Sequence, residues 1–482
     1  MTTTVSPQTK LDLVTALRLA GVDNPTINLA REQIREALGQ QLSARVLLVP
    51  NLNVGGNYHY NNGPVQASSG QILPVSDQAL YMGFGAGAVG AGSVVYPGMW
   101  LSANLGDAVF EPLAARENVV ARRSNSIAVQ NNIMGDVVTA YLRLVGNEAR
   151  LDVLRRADVE GSEVVRLTAE FDKAGQGLKA DANRAKAFNT LVERERLATE
   201  EEVDVASAQL CRLLNIDPSN HLRATGADLE TFRLIPEDTS IEVLIAQALQ
   251  SRPELTTQFA AIREAQIRVR QEKVRPFLPI ISVGVSSGGF GGESNLVPGG
   301  FTPLTGRTDI DAMAVWHLQN LGFGNRARVK EASAIVGQSL AEYDSIKNRI
   351  QREVVDALAE AREAARQLEY ARMAAINSKE GYDLDLIRIK GGQVVGRNAA
   401  RPIELLDSFN DVLKSRQELV AAITRFDIAQ FRLYVAVGSN PLNGPDVSQA
   451  VPPAVSNGPA STMPISPQPL PVVPVPSAPV KP

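Results

Sequence analysis

The sequence predicts a mainly α fold with a smaller β part: long α-helical hairpins together with two β-hairpins per chain. Three observations predict it. Two stretches, Pro112 to Ala174 and Asn325 to Lys390, keep helical apolar spacing over more than sixty residues with almost no breakers. Gly-rich runs of strand character precede each of them. The same order of features then occurs twice, at separations of about 225 residues, which is the signature of internal duplication.

Composition narrows the function classes. Hydrophobic residues make up 44% of the 482 but aromatics only 5%, the bias of helices packed through small side chains. The 48 basic and 52 acidic residues are mixed along the chain, so no basic stripe is available for phosphates and nucleic acid is not an expected partner. Cys211 stands alone and reads as a small core residue, with no internal disulfide and no Cys-based metal cluster to be expected. His59, His221 and His317 lie apart, without a carboxylate or second histidine at ligand spacing. No nucleophile stands out either, so neither a metal, a cofactor nor an enzyme is expected. No run of 18 apolar residues predicts a transmembrane helix, and Met1 to Ser6 lacks the basic and apolar regions of a secretory signal. Taken literally, that predicts a soluble, unexported chain.

In order along the chain, Lys10 to Arg45 reads as a helix broken at Asn24-Pro25. Pro50 opens a strand-like run, Leu52 to Tyr60, that enters a turn-rich Asn61-Asn62-Gly63-Pro64. A second run, Ser93 to Asn104, is expected to pair with it across a long Gly-rich connection. Pro112 suits the first turn of the long helix that follows, where its missing N–H leaves nothing unpaired. That helix, to Ala174, is about 95 Å long and needs partners of similar length to bury its stripe. After the break at Gly175-Gln176-Gly177, Asp181 is expected to cap a helix reaching Asn215.

The second copy follows a mixed linker. A helix from Ile241 ends at Pro276 and Pro279, and strands are expected over Ile280 to Ser287 and Ile310 to Leu318, joined by the Gly288 to Gly292 stretch and a Pro-containing loop. Trp316 to Arg328 then hands a strand over to the second long helix, whose Leu340, Tyr343, Ile350, Val354, Ala357, Ala361, Ala364 and Leu368 form a small-residue seam. The expected division is a first repeat over 10–217, an equatorial linker over 218–240, a second repeat over 241–440 and a Pro-rich disordered tail over 441–482. The tail holds 13 of the 28 prolines.

Two motifs need weighing. Gly85-Ala86-Gly87-Ala88-Val89-Gly90 matches GxGxxG, but a dinucleotide site needs a helix directly after it and strand character follows instead, so a flexible loop is expected. Glu404 and Asp407, at i and i+3, put two carboxylates on one face at the start of the last helix, with Asp181 at the matching place in the first copy. They read either as helix-end compensation or as an acidic ring at the tip of an oligomeric bundle.

Arg252-Pro253-Glu254-Leu255, the Leu278-Pro279 junction, Trp316 to Gly324 and Glu404-Leu405-Leu406-Asp407, in that order within a duplicated frame, resemble the TolC-like outer-membrane efflux proteins over about Leu11 to Pro441. The resemblance implies a homotrimer with a trimeric α-barrel and a 12-stranded outer-membrane β-barrel in contact with lipid. It implies an outer-membrane location with the helical part in the periplasm. The partners would be a periplasmic adaptor and an inner-membrane pump, as in tripartite efflux or type I secretion. It places the barrel-to-helix junction at Pro50, Pro279, Trp316, Gly322 and Gly324, and a periplasmic constriction at Asp181, Glu404 and Asp407, with Arg401 or Arg397 as basic gate partner. The tip Gly391 to Arg401 looks longer than usual, the first copy has Asn24-Pro25-Thr26-Ile27 in place of Arg-Pro-Glu-Leu, and no cysteine near the N-terminus supports a lipid anchor. The missing signal reads as a truncated or misassigned start. The competing class is a structural coiled-coil scaffold without transport activity.

Overall fold

The computed structural model describes residues 9–90, 92–175, 177–225, 231–390 and 402–441. A short strand β1 (Thr9–Leu11) leads into α1 (Leu13–Asp23) and α2 (Pro25–Arg45). The break between the helices is built by Asn24, whose side-chain oxygen accepts from the N–H groups of Thr26 and Ile27 at 2.9 and 3.3 Å, ahead of proline at the first helical position. Then come β2 (Asn51–Leu52), β3 (Gly55–Gln66), β4 (Ile72–Ala86), β5 (Tyr96–Pro97) and β6 (Met99–Asn104). The first long helix is α3 (Leu105–Lys173), 69 residues and so about 104 Å. A turn and α4 (Lys179–Leu214) bring the chain back to β7 (Leu222–Ala224), which lies parallel to β1. The remaining elements are α5 (Ile241–Ser251), α6 (Pro253–Val274), β8 (Ile280–Ser294), β9 (Thr302–Val315), α7 (Phe323–Lys390) and α8 (Pro402–Ala436).

The strands differ from expectation. Between the two runs expected to pair lies a whole strand, β4, matched to β3 from Gly55↔Gly83 to Gln66↔Ile72. The Asn61 to Pro64 stretch is strand, not turn, because β3 is an edge strand and Pro64 sits opposite Pro74, where no ladder donor is missed. Gly288 to Gly292 also lie within a strand rather than a loop: a Cβ on Gly288 would stand 2.8 Å from the Tyr81 ring and one on Gly292 2.4 Å from the Gln78 carbonyl. Those glycines admit the close approach of β4 to β8. The helix α3 begins seven residues before Pro112, since Asn104 caps it through Gly106 N–H at 2.8 Å. Proline is therefore inside the helix rather than in its first turn. The β1–β7 pairing carried no sequence signal.

Across the sheet, β8 pairs along one edge with β6 and then β4, and along the other with β9. The result is four strands wide, with β2 and β3 at one margin and β9 at the other. The helices are four wide as well. Near the sheet the order is α2, α3, α6, α7; toward the far end it is α4, α3, α8, α7.

Three cores hold this wall. Leu17, Ile27, Met134, Leu144, Leu210 and Leu214 bury one at the waist, with Cys211 among them. Leu244, Ile350, Val354, Ala357, Phe426 and Leu433 build its counterpart in the second half. Leu154, Val164, Ala185, Tyr382, Leu405 and Phe409 draw all four helices together near the tip, where Phe409 meets Phe188 edge-on at 5.7 Å. The seam on α7 is buried from Ile350 to Leu368, while Leu340 is exposed.

At the waist α8 also grips the segment from Phe232 to Ile235. Asp427 accepts from Phe232 N–H at 2.8 Å, and Gln430 from Leu234 and Ile235 N–H at 3.2 and 3.3 Å. Burial pushes the Asp427 carboxyl up to about 8, against the opposing effects of the Phe232 hydrogen bond and Arg372.

Candidate functional site

Two places were singled out, and they lie at opposite ends of the long helices. At the sheet end, Pro50 directly precedes β2 and Pro279 directly precedes β8, and the Pro279 carbonyl accepts from Leu105 N–H at 3.2 Å, joining the start of α3 to the β8 entrance. Trp316 follows β9 and is exposed. A single helical turn, Gln319–Gly322, then reverses the chain through Asn320, Leu321 and Gly322 at φ 49°, 55° and 92°. Buried Asn325 fixes this reversal by accepting from Gln319 N–H at 3.0 Å. Gly324 is required beside it, since a Cβ there would stand 2.7 Å from Gln319 Cγ.

At the far end, Asp181 is not the cap. The helix α4 starts at Lys179 with Leu178 before it, and Asp181 N–H already donates to the Leu178 carbonyl at 2.9 Å. Asp181 sits in the first turn, buried, with Arg184 at 3.3 Å. Glu404, in the first turn of α8, meets Arg388 at 2.5 Å, and Arg388 also reaches Asp385 at 3.1 Å. Asp407 is exposed and has no ion-pair partner among the described residues. It lies more than a turn into α8, beyond the N–H groups that a helix start leaves open.

The tip is therefore a mixed lattice of charge. Arg166 bonds Glu163 and Glu170 at 2.8 and 2.6 Å, and its hydrogen bonds hold Glu163 below the usual carboxylate range. Lys390 approaches the same Glu163 at 3.8 Å. Arg397 and Arg401, expected as basic gate partners, lie outside the described residues. Arg388 was missed by sequence reasoning. Its signal was its place in the last turn of α7, where the helix dipole favours a cation, three residues after Asp385.

Among the described residues no helix is long and apolar enough to cross a membrane, and no group of three or more His, Cys, Asp and Glu could hold a metal. The sheet, however, has two distinct faces. Register places Tyr58, Leu80, Met82, Met99, Leu101, Val283, Val285 and Ile310 on one side, and Asn57, Tyr81, Phe290, Arg307, Asp309 and Asp311 on the other. One face is apolar and largely exposed, the other polar. This is the alternation of a strand set between lipid and a wet interior.

Comparison with known proteins agrees with that pattern. Residues 244–439 match the family described as Outer membrane efflux protein. Its members are channels, not enzymes. No curated protein matches the chain. Among solved structures, the chain is similar to a membrane protein from Pseudomonas aeruginosa, at 20% identity and TM-score 0.70 over 90% of this chain and 94% of that one. It is similar to the outer membrane protein VceC from Vibrio cholerae, at 16% identity and TM-score 0.66 over 89% and 96%. The Campylobacter jejuni CmeC outer membrane channel is a further structural match, at 16% identity and TM-score 0.69 over 88% and 85%. Residues 244–439 thus resemble the outer membrane efflux protein family, and the chain has the fold of outer membrane channels such as VceC and CmeC.

Proposed function

We propose that the protein is the outer-membrane channel of a tripartite efflux or type I secretion system, a passive homotrimeric duct for export across the periplasm and outer membrane. A periplasmic adaptor and an inner-membrane pump are its partners, and the pump supplies the energy. In this reading the chain consists of two structural repeats, 10–217 and 241–440, joined at the waist by 218–240.

The observation that carries the proposal is a pair of open margins at every level. Among the described residues β9 pairs only with β8 and β3 only with β4, so two long strands leave one row of backbone groups unpaired. In hydrocarbon each such group costs several kcal/mol, and closure into a barrel is the remedy. The helical wall ends at the matching places, on α2 and α4 at one side and α7 at the other, with Leu42, Leu191, Ile376 and Ile387 exposed. Four strands and four helices from each of three copies close both rings at twelve.

Protein extracted in detergent is expected to run as a heat-labile trimer and to form channels in planar bilayers. A chain that stays monomeric and soluble without detergent and conducts nothing overturns the proposal in favour of the scaffold reading. A second expectation concerns the tip constriction, at Asp181, Glu404 and Asp407. Because Arg388 already neutralises Glu404, D407A should reduce cation-over-anion permeability about twofold and E404A by less. Reversal potentials in a salt gradient measure both, and unchanged values would return these carboxylates to a local role in their helices.

A further inference from the structure

The strand formed by β4 and β6 is interrupted. Phe84 pairs with Ser287 and Met99 with Val285, so the partner strand advances by two residues while this one takes up the whole of residues 85–98. Ordinary bulges insert one residue. The additional chain leaves the sheet, doubles back as β5 against the end of β4 through Gly85↔Pro97 and Ala86↔Tyr96, and returns. Gly85, Gly87 and Gly90 take φ of 118°, 84° and 59°, so the sequence that matches GxGxxG serves as the exit bend.

The side-chain hydrogen bonds from Asn57, Arg307 and Asp311 that hold this segment come from the polar face of the sheet. Asn57 accepts from Gly87 and Ala88 N–H at 2.7 and 3.0 Å and donates to the Ala88 carbonyl at 3.2 Å. Arg307 donates to the Gly90 carbonyl at 3.0 Å and to that of Gly92, and is itself held by Asp309 at 2.9 Å. Ser93 donates to Asp311 at 3.1 Å. Ala88 and Val94 bury Tyr81 completely, with Phe290 beside them. Within the segment Val89, Val95 and Tyr96 are 42%, 68% and 65% exposed.

We propose that residues 85–90 and 92–98 form an apolar collar inside the β-barrel, a second selectivity-determining constriction that resists hydrated ions and passes solutes with an apolar part. The inference rests on the channel reading above. A closed barrel of twelve tilted strands has a backbone radius of about 12 Å, and a layer stacked on a sheet stands about 10 Å from it. Three copies of the segment therefore reach close to the axis. There Val89 and Val95 offer no hydrogen bonds to replace an ion's water shell and Tyr96 only a single hydroxyl, and a hydrophobic constriction limits conduction by dewetting.

The test uses the full-length trimer in planar bilayers. V89S combined with V95S and Y96S should raise single-channel conductance about twofold or more. In a C211A background, S93C exposed to a charged methanethiosulfonate should lower conductance in up to three steps, while M82C on the apolar face leaves it unchanged. The thiol arm decides the matter should the triple variant fail to assemble. Normal wild-type channels whose conductance neither the serine substitutions nor the reagent alters overturn the collar alone. Wild-type protein that forms no channels overturns the channel reading and the collar with it.

Discussion

Replacing Arg252 with alanine is expected to lower stability by about 3–5 kcal/mol, the cost of leaving buried charge partners and carbonyls unpaired. Arg252 is 8% exposed and joins three helices. Its guanidinium reaches Glu353 on α7 at 2.7 Å, Glu254 on α6 at 3.1 Å, and the carbonyls of Val435 and Ala436 at the end of α8, both at 3.4 Å. Water cannot take over all of these partners once the side chain is gone. Lysine keeps a charge but not the planar fork, so R252K should recover only part of the loss. The equivalent position in the first half is Asn24, which caps α2 and donates to the Leu213 carbonyl at 2.7 Å, near the end of α4. N24A should cost less, about 1–2 kcal/mol. Denaturant melting of the assembled protein measures the order, and a loss for R252A no larger than for N24A would show that the waist does not depend on this ion pair.

The second large effect is a pH dependence set at Asp427. Its carboxyl titrates at about 8 in the folded protein against an ordinary 3.8, burial being the main cause. Between those values the folded state holds a proton that the unfolded chain has released. Stability therefore falls as pH rises through the window from about 4 to about 8, by at most about 1.4 kcal/mol per unit, and this contribution is constant above it. Asparagine retains the oxygen that accepts from Phe232 N–H at 2.8 Å but cannot ionise. D427N should consequently be more stable than wild type above neutrality, with a flatter profile. Melting curves collected across this pH range decide it, and parallel profiles would mean that Asp427 is solvated and ionised.

What the sequence revealed and what it concealed divide along physical lines. The long helices were legible because α3 and α7 repeat their apolar residues for more than sixty positions, and a stripe that long has few other uses. The break at Asn24 was legible because proline follows it and disfavours helix in the residue before it, whereas the equivalent break at Arg252, ahead of Pro253, was read through as one helix from Ile241. Strand β4 was not legible. In a sheet with one apolar and one polar face the period-2 signal is diluted by the glycines at 83, 288 and 292, which answer to close backbone approach rather than to turns. At the tip, the acidic residues were visible as a spacing, but the spacing could not show that Arg388 from the preceding helix would lie against Glu404. That contact depends on how α7 and α8 pack, a tertiary fact.

The two margins of the wall are unlike: α7 is a single continuous edge, whereas the opposite edge is shared between α2 and α4. In the proposed ring each junction joins one kind of edge to the other, so every subunit presents both a donor side and a recipient side. A genetic consequence follows. A variant damaged only on α7 still accepts a neighbour through α2 and α4, enters rings alongside intact chains and leaves them unclosed. Such alleles should be dominant over the wild type in cells that express both, whereas alleles damaged on both edges, unable to join any ring, should be recessive.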